Sequence, residues 1–110
     1  MKNGAAVLWV ALSLGCVHET LRAEHVLTGV PHPPQSGVVR IVMEGAVLDA
    51  AYEEVAVVSA TGKSNDATLP AVLGALQGEA ARLGCNAVIH VRFEQGAQSA
   101  NATGVAVRTE

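Results

Sequence analysis

Leu69, Val72, Leu73, Leu76, Ala80 and Leu83 recur at intervals of three and four, the spacing that gathers apolar side chains on one helix face. Thr68 stands before them, where a hydroxyl can accept from the first free N–H groups. Pro70, near the first turn, gives up a donor the helix does not use. Gly84 follows Leu83, where a left-handed residue ends a helix. The spacing therefore predicts a capped helix from Leu69 to Leu83. Gly74 and Gly78 lie inside it, each costing about 1 kcal/mol relative to alanine. They are expected to let the backbone of a neighbouring sheet come close.

After the cap the period changes to two. Ala87, Ile89, Val91 and Phe93 alternate with Val88, His90, Arg92 and Glu94, which predicts a strand with one apolar face. His90 and Arg92 then point away from the helix-covered side. Val38–Met43 is expected as a strand with Val39, Ile41 and Met43 on one face and Arg40 on the other, ended by Gly45. A second strand is expected over Val55–Thr61 and a last one over Val105–Thr109. Between them, Gly62–Ala67 reads as a turn and Gln95–Gly104 as a polar loop. This order suits an α+β fold: a small sheet of about four strands with one helix packed across it, β-β-α-β-β. An antiparallel last strand would lie between or beside the two strands that the helix connects.

The 110 residues make one small domain, 50% hydrophobic but only 3% aromatic, so the core is built from small side chains that each bury little area. A net charge of −3 with no basic run argues against nucleic acid as a partner.

The N-terminus alters the picture. Lys2 is followed by Ala5–Leu14, ten residues without a charge: too short to span a bilayer, but the length of a secretory signal core. The run closes in Leu12-Ser13-Leu14-Gly15-Cys16, which resembles a bacterial lipobox, although Ser13 stands where Leu, Val or Ile is preferred. Residues 1–15 are thus expected as a signal peptide cleaved before Cys16, which would carry acyl chains such as palmitate. More than one chain makes such an anchor stable. Of seven basic side chains Lys2 is lost, leaving six against ten acidic ones. Val17 follows the cysteine, with no aspartate to signal inner-membrane retention, so the expected location is the outer membrane, facing the periplasm. Residues 16–37, with Pro31, Pro33 and Pro34, read as the lipidated cysteine and an extended tether, and residues 38–110 as the domain. If Cys16 carries lipid, Cys85 has no disulfide partner and is expected as a buried thiol at the helix end, with a reactive or intermolecular thiol as the alternative.

Candidate chemistry is sparse. His18, His25 and His32 recur every seven residues, but a metal needs convergent ligands and usually a fourth group, which a tether does not supply. Cys85 and His90 are the weak metal candidates of the domain; no metal or cofactor is assigned. Glu53 and Glu54 are neighbours on a strand and face opposite ways, so they do not flank one bond. Thr61-Gly62-Lys63-Ser64 has Val57 where a phosphate-binding loop needs its first glycine. Asn101-Ala102-Thr103 matches a glycosylation sequon that a bacterial signal upstream leaves without meaning. No Ser-His-Asp set or dinucleotide fingerprint is present.

Ala80-Ala81-Arg82-Leu83-Gly84-Cys85-Asn86-Ala87-Val88-Ile89, followed by Gly104-Val105-Ala106-Val107, resembles a pattern shared by small bacterial families. One is the heavy-metal-binding family of dodecin-like subunits that assemble into pentamers. Another is the outer-membrane lipoprotein family that senses envelope stress for the Rcs phosphorelay. Tyr52-Glu53-Glu54-Val55 is similar to small lipoproteins of this kind, and the resemblance covers roughly residues 50–109. It implies a dodecin-subunit-like fold and a sensing or binding role. Cys85 stands where the pattern has alanine, the paired domain cysteines of the stress sensor are not both present, and no residue matches a metal-ligand position. The expected function is a lipid-anchored cell-envelope binding or sensing module, not an enzyme. Its expected partners are the membrane, through Cys16, and an envelope protein. The alternative is an oligomeric module that holds a small molecule or metal, which would make the chain a homo-oligomer.

Overall fold

The helix forms as the spacing predicts: α1 spans Leu69–Arg82 in the computed structural model, which describes residues 20–110. The Thr68 hydroxyl accepts from the Ala71 N–H at 3.3 Å. At the other end Gly84 adopts φ +78. Its N–H donates to the Ala81 carbonyl, and the Cys85 N–H donates to that of Ala80. These two bonds close a left-handed glycine cap that occupies carbonyls the helix itself leaves free.

Among the described residues five strands form one sheet: β1 (Leu21–Leu27), β2 (Arg40–Met43), β3 (Tyr52–Lys63), β4 (Ala87–Gln95) and β5 (Ser99–Thr109), in the order β1-β3-β5-β4-β2. All neighbours are antiparallel except β2 and β4. The last strand lies between the two that α1 connects. The helix covers one face, with Val72, Leu76 and Ala80 against Val55, Val58 and Ala60 of β3, Val88 and Val91 of β4, and Ala100, Ala102 and Ala106 of β5. Leu76 is fully buried, a contribution of about 1.5–3 kcal/mol.

The fold class is α+β, but the sheet has five strands rather than about four. The additional strand, β1, lies in the stretch read as a tether. It pairs with β3 along its whole length, from Leu21↔Gly62 to Leu27↔Ala56. Leu21 and Ala23 pack toward the helix while Arg22 and Glu24 are exposed, a strand alternation that nearby prolines conceal in the sequence. Residues 28–37 then form a strap across the helix end. The His32 N–H donates to the Leu83 carbonyl, the Gln35 N–H to that of Ala81, and the Gln35 amide to that of Cys85 at 2.8 Å. Pro31, Pro33 and Pro34 stiffen a docked segment instead of a free linker.

Other expectations need correction. A Cβ at Gly74 or Gly78 would meet nothing within 4 Å; both glycines face solvent. Small residues do permit close packing, but they are the alanines of β5, together with Gly104, where a Cβ would sit 2.6 Å from a Val88 methyl. In β4 the alternation breaks at His90, which has φ +55. One extra residue there shifts the register against both β5 and β2. Ala87 and Ile89 consequently lie on the face away from the helix, with Val42 and Val107, while Val88, Val91 and Phe93 lie beneath it. Met43 is exposed, unlike Val39 and Ile41. β3 continues through Gly62 and Lys63, and β5 begins at Ser99, so the expected turn and loop are both shorter. Ala100-Asn101-Ala102-Thr103 has the period of a strand without strong hydrophobic contrast.

Candidate functional site

Of the residues singled out by sequence, Cys16 and His18 lie outside the described residues. Cys85 and His90 fall in different environments: the thiol is fully buried in the helix-side core, and the imidazole is exposed on the β4 bulge. Burial pushes the Cys85 thiol up to about 11; the nearby Arg108 cation lowers it and Glu53 raises it, and burial prevails. Such a thiol stays protonated at neutral pH. Asn86, beside it, accepts from the Thr109 N–H at 2.8 Å and donates to the Thr109 hydroxyl at 3.0 Å, which ties the helix-to-strand turn to the end of β5. Arg108 donates to the Gly84 carbonyl at 3.0 Å. The motif around Gly84-Cys85-Asn86 thus serves the fold.

The structure assembles a polar group that sequence reasoning missed. His25 Nδ1 lies 2.6 Å from Glu79 Oε2, and Arg82 donates to the other Glu79 oxygen. Glu79 is the buried charged residue of α1. Burial pushes its pKa up, but hydrogen bonds from His25 and Arg82, and their charges, outweigh this and leave it below the ordinary carboxylate value. Both carboxylate oxygens are engaged, so the group locks β1 to α1. The signal for it was a glutamate on the apolar stripe, between Leu76 and Leu83. His32 pairs separately with Glu53 at 3.2 Å. Among the described residues no three His, Cys, Asp or Glu side chains are placed to hold a metal ion.

The remaining candidate is the sheet face away from α1. On its β2 and β4 half, Leu48 packs over Val42, Ala87, Ile89 and Val107. The β1 and β3 half is open, with Val26 69% and Val57 42% exposed. A shallow polar depression on this face is lined by Arg92, Glu94, Asn101 and Thr103, and a more apolar one by Glu24, His25, Val26, Val57 and Ser59. This face presents hydrogen-bonding groups and modest apolar area over shallow depressions. The described residues form a five-stranded α+β domain with one sheet face covered by α1 and the other covered over its β2 and β4 half and open over its β1 and β3 half. Comparison of the chain with protein-family models, curated proteins and solved structures gave no match.

Proposed function

We propose that this protein is a lipid-anchored bacterial cell-envelope module that acts by binding or sensing, not by catalysis. The observation that carries the reading is the uncharged run Ala5–Leu14 closed by Gly15-Cys16, set five residues before the first strand of the domain. The five residue steps from Cys16 to Leu21 reach at most about 17 Å. A lipid on Cys16 therefore holds the domain against the membrane surface, in place of the twenty-residue tether expected from sequence. The end of the sheet formed by Thr20 and Lys63, where the Lys63 N–H donates to the Thr20 carbonyl at 2.7 Å, would face the lipid. Outer-membrane delivery follows from Val17 after the cysteine, and the open sheet face is the surface left for an envelope partner.

The test is the intact mass of the full-length chain, expressed in bacteria and extracted from the membrane fraction. A mass matching cleavage before Cys16 plus acyl chains supports the reading, and Cys16→Ser should then release the protein from the membrane. An unmodified mass, or cleavage elsewhere, overturns it. A second reading, an oligomeric dodecin-like module that holds a small molecule, is favoured by the polar depression at Arg92, Glu94, Asn101 and Thr103.

A further inference from the structure

The open sheet face carries a pattern that is complementary to itself. Register across β1, β3, β5 and β4 defines three consecutive rows on the side away from the helix. The first row is Val26, Val57, Val105 and Ile89, the last buried beneath Leu48. The second is Glu24, Ser59, Thr103 and Arg92, acidic at the β1 end and basic at the β4 end. The third is Arg22, Thr61, Asn101 and Glu94, with the charges reversed. Arg22, Glu24, Arg92 and Glu94 are all exposed, and among the described residues Arg92 makes a 3.4 Å ion pair to the exposed Glu44.

Consider a two-fold axis parallel to the strands, between β3 and β5. Laid face to face about it, β1 of one copy meets β4 of the other, and β3 meets β5. Glu24 then faces Arg92 of the partner subunit, Arg22 faces Glu94 of the partner subunit, Val57 faces Val105 of the partner subunit, and Val26 meets the half on which Leu48 covers Ile89. Each charge contact occurs twice. The thickness also matches, because the half carrying Leu48 falls over the open half of its neighbour. Four strands about 4.8 Å apart and about ten residues long present roughly 650 Å² per copy. A pair would hide roughly 1,300 Å², within the range of specific interfaces, and two sheets stacked with nearly aligned strands are an ordinary packing.

We infer that a second copy of this chain docks on the open sheet face, forming a two-fold dimer held by a valine row and two reciprocal sets of charge pairs. An axis parallel to the strands brings both Thr20 ends to the same end of the dimer, as two chains anchored in one membrane require. An axis across the strands would place them at opposite ends. The docking itself is argued from the face pattern and does not depend on the anchor.

The test is disulfide trapping in full-length chains carrying different tags, with copper-phenanthroline as oxidant so that the outcome is independent of compartment. Glu24 and Arg92 are three strands apart, about 14 Å, too far to bridge within one chain. Co-expression of a Glu24→Cys chain with an Arg92→Cys chain should give a mixed dimer on non-reducing gels, and neither chain alone should. The pair Arg22→Cys and Glu94→Cys should do the same. In that second pair, adding Glu24→Arg to both chains should lower trapping at least about tenfold by setting like charges opposite each other, and adding Arg92→Glu as well should restore it. Absence of the mixed dimers, equal trapping in the single-variant controls, or failure of the double reversal to restore trapping would overturn the inference. A negative result here beside a lipidated mass would leave the anchor reading standing, and the converse also holds.

Discussion

Alanine at Gly84 and alanine at Gly74 or Gly78 should move stability in opposite directions, although all three glycines belong to one helix and its cap. At Gly84 the backbone is left-handed, with φ +78, a conformation that costs an alanine about 1 kcal/mol or more. The added Cβ would also lie 2.5 Å from His32 Cβ, 2.7 Å from the Pro33 carbonyl oxygen and 2.8 Å from the His32 carbonyl carbon. Two of those neighbours are backbone, so the strap must lift. Lifting it strains the bonds from the His32 and Gln35 N–H groups to the Leu83 and Ala81 carbonyls, each contributing about 1 kcal/mol. Gly84→Ala should therefore cost about 3 kcal/mol. At Gly74 and Gly78 the Cβ enters open space on the solvent face, and each substitution should stabilise by about 0.4–1 kcal/mol. Urea denaturation followed by circular dichroism reads both signs, provided the slope with denaturant is unchanged. A Gly84→Ala variant within about 0.5 kcal/mol of the parent would refute the account of the strap. Loss of stability at Gly74 or Gly78 would mean that the outer face of α1 is covered.

Three further outcomes are expected. Glu79→Gln should cost about 1.5–3 kcal/mol at pH 7, because it removes a charge-assisted contact with His25 and Arg82. Since the folded pKa of Glu79 lies below its ordinary value of 4.5, its contribution is full above that value and is lost as pH falls through the folded pKa. Denaturation curves between pH 7 and pH 3 should accordingly fall less steeply for the variant. For Cys85 the pKa is raised, from 9.0 to about 11, so the stability tied to the neutral thiol is complete below pH 9 and is lost as pH rises through 11. Alkylation at pH 8 should run at least about a hundredfold slower in the folded chain than in urea; equal rates would contradict the burial. Leu76→Ala should cost about 2–5 kcal/mol, measured by the same denaturation, because the side chain is fully buried at the centre of the helix–sheet interface.

The sequence by itself determined α1 and its two caps, the start of β4 after Gly84, and the class of fold. These features rest on local signals: the three-and-four spacing, the Thr68 hydroxyl, and a glycine where only a left-handed residue closes the helix. Tertiary structure decided the rest, because the deciding contacts join residues far apart in the chain. β1 is a strand only because β3 offers an unpaired edge, and residues 28–37 dock because the Leu83 and Cys85 carbonyls past the end of α1 accept from His32 and Gln35. The bulge at His90 moves Ala87 and Ile89 to the opposite face, which a period of two cannot foresee, since one inserted residue inverts every side chain before it. The polar group at Glu79 required both β1 and α1 to be in place. The rows of the open face required the register of four strands, for charges scattered at positions 22, 24, 92 and 94 acquire an order only when those strands are laid side by side.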